Sequence, residues 1–362
     1  MSKEKNSLWK KCTSSRLFFP LVCLILVILV NVIKSPSFLH ISINNGVLYG
    51  RLIDIANRGS EIAILAIGMT LTIAVSAGTD ISVGSVMALV ASCCCTTLVG
   101  YGVSSASSVK YPIVIGVLAG IVVGGICGCF NGFMVSKLKV QPMVATLVLY
   151  TAARAIGLVV SNNQITYVRV KQYKYLGNFL HIGNWECPIP TPIFVAIICV
   201  LLATCLLKFT ALGMYIQAVG INPKAARIMG INSALIIFIC YVICGIGAGI
   251  AGTVASSRIY SADSNNIGLN FEMDAILAVA LGGNSLAGGK FSLAGSIIGA
   301  YTIQALSTTL LAFGVKTEQA PVIKAIVIII IVAIQAPAIQ NYMKNRKARK
   351  ISAANGGEAV AK

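Results

Sequence analysis

Carboxylates and imidazoles are scarce in this sequence. Ten Asp and Glu stand against 28 Lys and Arg in 362 residues, and the histidines are two, His40 and His181. Charged residues of both signs make up 10%, where a soluble domain carries about 25%. No stretch is polar enough and long enough to form a soluble domain, so the chain reads as one integral membrane domain. The twelve cysteines offer no CxxC pair with a matching partner pair, and several lie inside apolar runs: Cys93, Cys94, Cys95, Cys127, Cys129, Cys240 and Cys244. With so few histidines this argues against a metal site and for thiols acting as small hydrophobes. "LGGNSLAGGK" (281–290) lacks the Gly-Lys-[Ser/Thr] ending of a phosphate-cradling loop, and no strand precedes it. ATP binding is rejected there in favour of a flexible re-entrant turn. No catalytic residues and no cofactor are assigned to this chain.

Apolar residues make up 57% of the chain, and the mean hydropathy is +0.87. Runs long enough to cross a ~30 Å hydrocarbon core recur along the whole length. We place ten spans, at 17–33, 61–79, 83–99, 112–136, 142–160, 192–207, 233–256, 272–283, 291–314 and 320–337; an eight-span arrangement also keeps both tails on one side. The eighth is short for the ~20 residues a span needs, and reads as a deeper start or part of a broken helix. The first run follows a basic "MSKEKNSLWKKCTSSR", but no small-residue cleavage site succeeds it, so it is read as a retained span.

The net charge of +18 would suggest nucleic acid in a soluble protein. Here the cations lie in tails and short loops, so they set topology and meet anionic lipid headgroups instead. Lys3, Lys5, Lys10, Lys11 and Arg16 precede the first span; Lys344, Arg346, Lys347, Arg349 and Lys350 follow the last. Both tails, 1–16 and 338–362, are expected in the cytoplasm, flanking a transmembrane domain over 17–337. Alternate threading puts the 208–232 loop inside and the 34–60 and 161–191 loops outside. Arg169, Lys171 and Lys174 in the last of these run against the positive-inside trend.

One inner segment is too polar to cross a bilayer and too well signalled for a slack linker: "ALGMYIQAVGINPKAARIMGIN", 211–232. Asn222 suits an N-cap, Pro223 the first helical position and Gly230 a left-handed terminus. Between them Lys224, Ala225, Ala226 and Arg227 lead to Ile228 and Met229, about two turns with a slim side and an apolar tip. Such a helix fits a groove on a partner protein, or lies on lipid at the interface.

That segment resembles the coupling loop of the permease subunits of sugar ABC importers, the ribose/galactoside/branched-chain amino acid permease family. Three other blocks resemble the same family in order: "AIGMTLTIAVSAGTDISVGSVMAL" (66–89), "QPMVATLVLYTAARAIGLVVSNNQ" (141–164) and "FEMDAILAVALGGNSLAGGKFSLAGSIIGA" (271–300). "YGRLIDIANR" and "SADSNNIGLNFEMDAILAV" are most similar to galactofuranose-type importer permeases. The family pattern has two glycines before the aspartate; here Ser76, Ala77, Gly78 and Thr79 stand there, with less freedom to break a helix.

The resemblance implies an all-α, polytopic bundle of the type II-like importer kind, in the bacterial inner membrane, with no enzymatic activity of its own. It implies a cytoplasmic ATPase subunit that hydrolyses ATP, a periplasmic or lipid-anchored sugar-binding protein, and a second permease copy or paralogue; membrane lipids complete the partners and nucleic acid is excluded. It implies ATPase coupling by Asn222, Pro223, Lys224, Ala225, Ala226, Arg227 and Gly230. Cargo is expected to be galactofuranose or a related monosaccharide, with ribose or another pentose or hexose as the alternative. A weak echo between "DISVGSVMALVA" (80–91) and "KFSLAGSIIGAY" (290–301) fits two related halves. A proton-coupled secondary carrier is the rival class, with Asp80 as its main candidate carboxylate.

Other residues carry two readings each. Asp80, with Ser82, either caps the third span or takes part in gating or sugar contact. Arg154 lies about 9 Å from the outer end of its span and reads as an anchor or structural partner before a substrate contact. "SNNQ" (161–164), with Asn163 and Gln164, and "SADSNNIG" (261–268), with Asn265 and Asn266, offer the neutral donors and acceptors that sugars need, or are simply polar loops. Asp274, with Glu272, suits the first turn of the eighth span.

Overall fold

The computed structural model describes residues 17–44, 46–182 and 185–335. Both basic tails, 1–16 and 338–362, lie outside the described residues. In chain order the helices are α1 (Phe18–Lys34), α2 (Arg51–Ser76), α3 (Val83–Val99), α4 (Ile113–Ser136), α5 (Pro142–Val160), α6 (Lys171–Lys174), α7 (Thr191–Phe209), α8 (Leu212–Ile221), α9 (Pro223–Ile228), α10 (Ser233–Ile259), α11 (Phe271–Leu281), α12 (Leu293–Ala312) and α13 (Ala320–Gln335). A helix coincides with each of the ten expected spans. Five of them, α2, α4, α5, α7 and α10, are long and apolar enough to cross a membrane by length and composition.

Two compact units divide the chain between Thr309 and Leu310. In the first, α2 is the centre: 94% of its apolar window is buried, against 11% for α7 and 28% for α4 and α5. Every backbone polar group must be satisfied within a helix when lipid replaces water, so these peripheral helices can show apolar side chains such as Leu201, Leu202, Val122 and Ile126 outward at no cost. The tightest contact joins α4 to α10. Gly124 and Gly128 on α4 face Gly245 and Gly249 on α10, and a Cβ on Gly128 would lie 2.5 Å from the Tyr241 carbonyl and 2.9 Å from the Val242 Cα. Glycines four apart let two backbones touch where lipid supplies no hydrophobic drive for association. The second unit carries the last turn of α12, a left-handed turn at Gly314 (φ 78°) and α13.

The all-helical expectation needs one amendment. The loops at one end form small sheets: β1 (Ser42–Asn44) pairs with β2 (Val47–Tyr49), β5 (Phe179–Ile182) with β6 (Trp185–Pro190), and β3 (Ser105–Ala106), β4 (Thr166–Val168) and β7 (Ser261–Ala262) make a three-stranded sheet in that order. That sheet ties together three connections that the alternate threading puts on one side. Tyr173 on α6 plugs this end, fully buried, its hydroxyl 2.7 Å from Ser256 Oγ; burial holds the phenol well above its ordinary pKa, so it stays a donor. The cations of this loop stay in water over aromatic rings, Arg169 5.7 Å from the Tyr167 centroid and Lys174 5.3 Å from that of Tyr260.

Other boundaries differ from the sequence reading. The second span begins at Arg51, not 61, because helix continues through a polar first stretch whose Glu61 is buried against an arginine from α10. α11 has only 11 residues, about 16 Å, and does not span alone. Helix α2 does end before Asp80 despite the missing glycine: Ala77 takes the left-handed conformation (φ 50°) at about 1–2 kcal/mol. The 281–290 turn is pinned rather than slack. Asn284 Nδ2 donates to Ser296 Oγ at 2.8 Å, its Oδ1 accepts from the Ser292 amide at 2.6 Å, and Gly289 N–H donates to the Ala74 carbonyl at 2.9 Å.

Candidate functional site

At the end opposite the small sheets, the 211–232 segment folds as two helices rather than one. α8 packs Ile216 and Val219 into a cluster with Leu71, Ala74 and Val75 of α2 and Ile236 and Cys240 of α10. Its Gly220 abuts the Ala74 carbonyl so closely that a Cβ would collide with it. α9 follows directly. Asn222 Oδ1 accepts from the Lys224 and Ala225 amides at 3.0 and 3.1 Å, Pro223 stands at the first position, and Gly230 turns left-handed at φ 84°. Ala226 is fully buried in the same cluster, so it anchors α9 instead of meeting a partner. Lys224 and Arg227 are exposed, as are Ile228 at 88% and Met229 at 69%. Ile228 and Met229 thus form an exposed apolar tip on α9.

Asp80 lies at the same end, between α2 and α3, and is buried. Its Oδ1 accepts from the Ser82 amide at 3.0 Å and from Ser82 Oγ at 2.6 Å; Asn131 Nδ2 of α4 approaches at 3.4 Å and donates to Ser82 Oγ at 2.9 Å. This geometry holds the start of α3 against α4; Ser82, not Asp80, stands at the N-cap position, and no side chain caps the first-turn amides. Asp80→Ala should orphan two buried donors, the Ser82 amide and hydroxyl, at about 1–3 kcal/mol each, and lower the unfolding midpoint in detergent by several degrees. Asp80→Asn keeps an acceptor and should cost only about 1 kcal/mol. Loss of transport in Asp80→Asn with an unchanged midpoint would instead make the charge functional.

At the sheet end a cavity of about 440 Å³ opens between α2, α10, α11 and the strands. Its polar lining is Arg58, Glu61, Tyr167, Ser261, Asp263 and Asn266; Met87, Ile267 and Phe271 supply apolar wall. Glu61 pairs with Arg258 of α10 (Oε1 to Nη2, 2.9 Å), and the same Nη2 donates to Asn57 O at 3.2 Å. The pair is largely desolvated, so removing one partner would strand a buried charge. Asp263 Oδ2 accepts from Asn266 Nδ2 at 2.6 Å, and its Oδ1 from the Asn265 amide at 2.9 Å. Arg154 Nη1 clamps this loop through the Ser264 and Asn265 carbonyls, both at 2.7 Å, so it is a structural partner.

The sequence-selected polar residues therefore do not form one site. Asp80 and Ser82 do not line the cavity that Asn266 lines. Asn163 caps α5 in left-handed conformation (φ 55°), its N–H bonded to Leu158 O at 2.7 Å; Gln164 lies beside it, half-buried. Asn265 serves the Arg154 clamp. Asp274, with Glu272, is in the first turn of α11 as expected, and both are buried. Asn266 alone of these residues lines the cavity. Arg58, Glu61 and Tyr167 escaped the sequence reading, while Asp263 lay inside the quoted 261–268 stretch. Glu61 stood at an assumed span boundary, where a carboxylate looks solvated.

A bundle of apolar helices around a buried centre, carrying a capped helix at one end and a polar cavity at the other, is the architecture of a polytopic helical membrane protein. The chain belongs to the family of branched-chain amino acid transport system permease components, whose pattern it matches over residues 51–332. It is 39% identical to the galactofuranose transporter permease protein YtfT of Escherichia coli K12 over 91% of this chain and 92% of that one. It is 38% identical to the fructose import permease protein FruF of Bifidobacterium longum NCC 2705, over 96% and 95%. The ribose import permease protein RbsC of E. coli K12 matches at 35%, over 87% and 92%. No solved structure matches the chain. Family membership implies an ATPase partner, since the chain is the permease component of an ABC system.

Proposed function

We propose that this chain is the membrane-spanning subunit of an ATP-driven importer of a monosaccharide, galactofuranose or a close relative, with both tails cytoplasmic. Ribose and fructose permeases among its relatives keep other pentoses and hexoses as the alternative cargo. The observation that carries the reading is α9: a capped helix anchored by Ala226 and presenting Ile228 and Met229, in a chain of the permease family. A cytoplasmic ATPase subunit grips that tip and moves it. Ala226 and the α8 contact with Ala74 pass the displacement to α2 and α10, which also wall the outer cavity. That cavity has the size of a small-ligand site and a polar lining suited to hydroxyls. A binding protein delivers sugar at the sheet end, and a second permease copy completes the path. No bond in the sugar is made or broken.

The test is reconstitution. Liposomes carrying this chain with its ATPase and binding protein should take up sugar only with ATP, and liposomes carrying the chain alone should not. A cysteine at 228 should react with a reagent applied from the cytoplasm and crosslink to the ATPase, while one at 226 stays unreactive. Uptake by the chain alone, abolished by a proton uncoupler, would establish the secondary-carrier reading. Labelling of position 228 from outside would invert the topology.

A further inference from the structure

Beside α9, at the same end of the first unit, lies a second cavity of about 480 Å³ between the end of α4 and the start of α10. Its lining carries four cations, Lys137, Lys139, Lys224 and Arg227, and no acidic residue. All four are exposed, and among the described residues no carboxylate pairs with them. Unbalanced like charges on one wall repel each other at the cost of the fold unless an anion sits among them.

A second observation is independent of the charge. Ser136 lines the same cavity, its side chain is 93% buried by its 7% exposure, and its hydroxyl has no hydrogen-bond partner among the described residues. A buried orphan hydroxyl asks for an acceptor. The first turn of the 27-residue helix α10 also faces the cavity at Ser233 and Ala234, adding the positive end of its macrodipole. Cations, a hydroxyl donor and helix amides together suit a tetrahedral oxyanion better than a single carboxylate.

We infer that this cavity is a binding site for the phosphate group of an anionic phospholipid. The choice of lipid over a free anion rests on the neighbouring surface. Phe130 and Phe133 on α4, Leu138 after it, and Met143, Val144 and Leu147 at the start of α5 are all exposed apolar side chains running from the cavity toward the middle of the bundle. Acyl chains lie along that face when the headgroup is seated at the helix ends. Basic pockets between helix ends on the cytoplasmic side are a recurrent headgroup geometry. The bound phosphate joins α4 to α9, so lipid occupancy would hold the coupling helix against the bundle.

The experiment needs no transport, so it succeeds or fails separately from the importer reading. The purified full chain, delipidated in detergent, is titrated with phosphatidylglycerol, phosphatidylcholine or inorganic phosphate. Binding is read by native mass spectrometry and by the unfolding midpoint. One phosphatidylglycerol per chain should bind, at least tenfold tighter than phosphatidylcholine and untouched by millimolar inorganic phosphate. Each cation removed should weaken it roughly fivefold, so the pair Lys137→Gln with Lys139→Asn should lose about 25-fold. Asparagine is chosen because residue 139 has a φ of 55°, which it tolerates. Ser136→Ala should weaken binding without moving the lipid-free midpoint. Equal affinity for the two lipids, displacement by inorganic phosphate, or an equal loss from Lys110→Gln at the opposite end would overturn the assignment. So would a double variant that keeps its lipid but no longer binds the ATPase, which would assign the patch to that partner.

Discussion

Adding two methyl groups to the α4–α10 contact, as Gly124→Ala with Gly128→Ala, should remove most folded protein from the membrane. Both new Cβ atoms would meet backbone, not side chain. That on Gly124 falls 2.5 Å from the Gly245 carbonyl and 2.9 Å from the Gly249 Cα; that on Gly128 falls 2.5 Å from the Tyr241 carbonyl. Backbone cannot swing aside as a rotamer does, so the two helices must separate. Separation would also loosen Asn131 from Ser82 and Asp80, because Asn131 is on α4. Ordinary overpacking costs about 1–3 kcal/mol per site, and here two sites add to a strained seam within a total stability of about 5–15 kcal/mol. Gly125 is the internal control. Its Cβ would find only Ile246 Cγ1 at 3.6 Å, an ordinary contact. Gly125→Ala should therefore be neutral or stabilising by up to about 1 kcal/mol, since alanine is the better helix former. Fluorescence-detected size exclusion of detergent extracts distinguishes the two: a tenfold or greater fall in the monodisperse peak for the double variant, no fall for Gly125→Ala. Equal peaks would mean that the helices do not pack through these glycines.

The second large effect concerns the tip of α9. Ile228→Asp combined with Met229→Asp should abolish sugar uptake and ATPase association while the chain stays folded and in the membrane. Neither side chain contributes to the buried core, so stability should move by less than about 0.5 kcal/mol. If both sit in a pocket of the ATPase, each behaves as an interface anchor worth about 2 kcal/mol, or 30-fold. Together they should weaken association about 1,000-fold, read by co-purification and by titration of the detached ATPase onto the reconstituted permease. Ala226→Asp makes the contrast: it buries a charge in the Leu71–Ile216–Cys240 cluster and should unseat α9 and lower the unfolding midpoint together. Full uptake by the Ile228–Met229 double variant would remove α9 from the coupling path.

Much of this was legible in the chain because the forces involved are local. Apolar runs declared the helices, since a segment that must satisfy its own hydrogen bonds in lipid has few conformations open to it. Asn222, Pro223 and Gly230 declared α9 because capping is settled within four residues. The extra turns of α2 before Glu61 were hidden for the opposite reason. Arg51, Asp54, Asn57 and Arg58 look like a loop, and only the ion pair with Arg258, some 200 residues on, makes their helix worth continuing into the bundle.

The sequence by itself determined the class of protein, the places of its apolar helices, the family and the capping of α9. The tertiary structure alone decided which face of that helix is free, that Asp80 is held by Asn131 and Ser82, that Arg154 grips two loop carbonyls, and that Glu61, Asp263 and Asn266 share a cavity. The physical reason is range. Hydropathy and capping act within one turn or one span, while a buried polar group is satisfied by whichever partner packing brings near, and packing here is set by small residues on helices far apart in the chain.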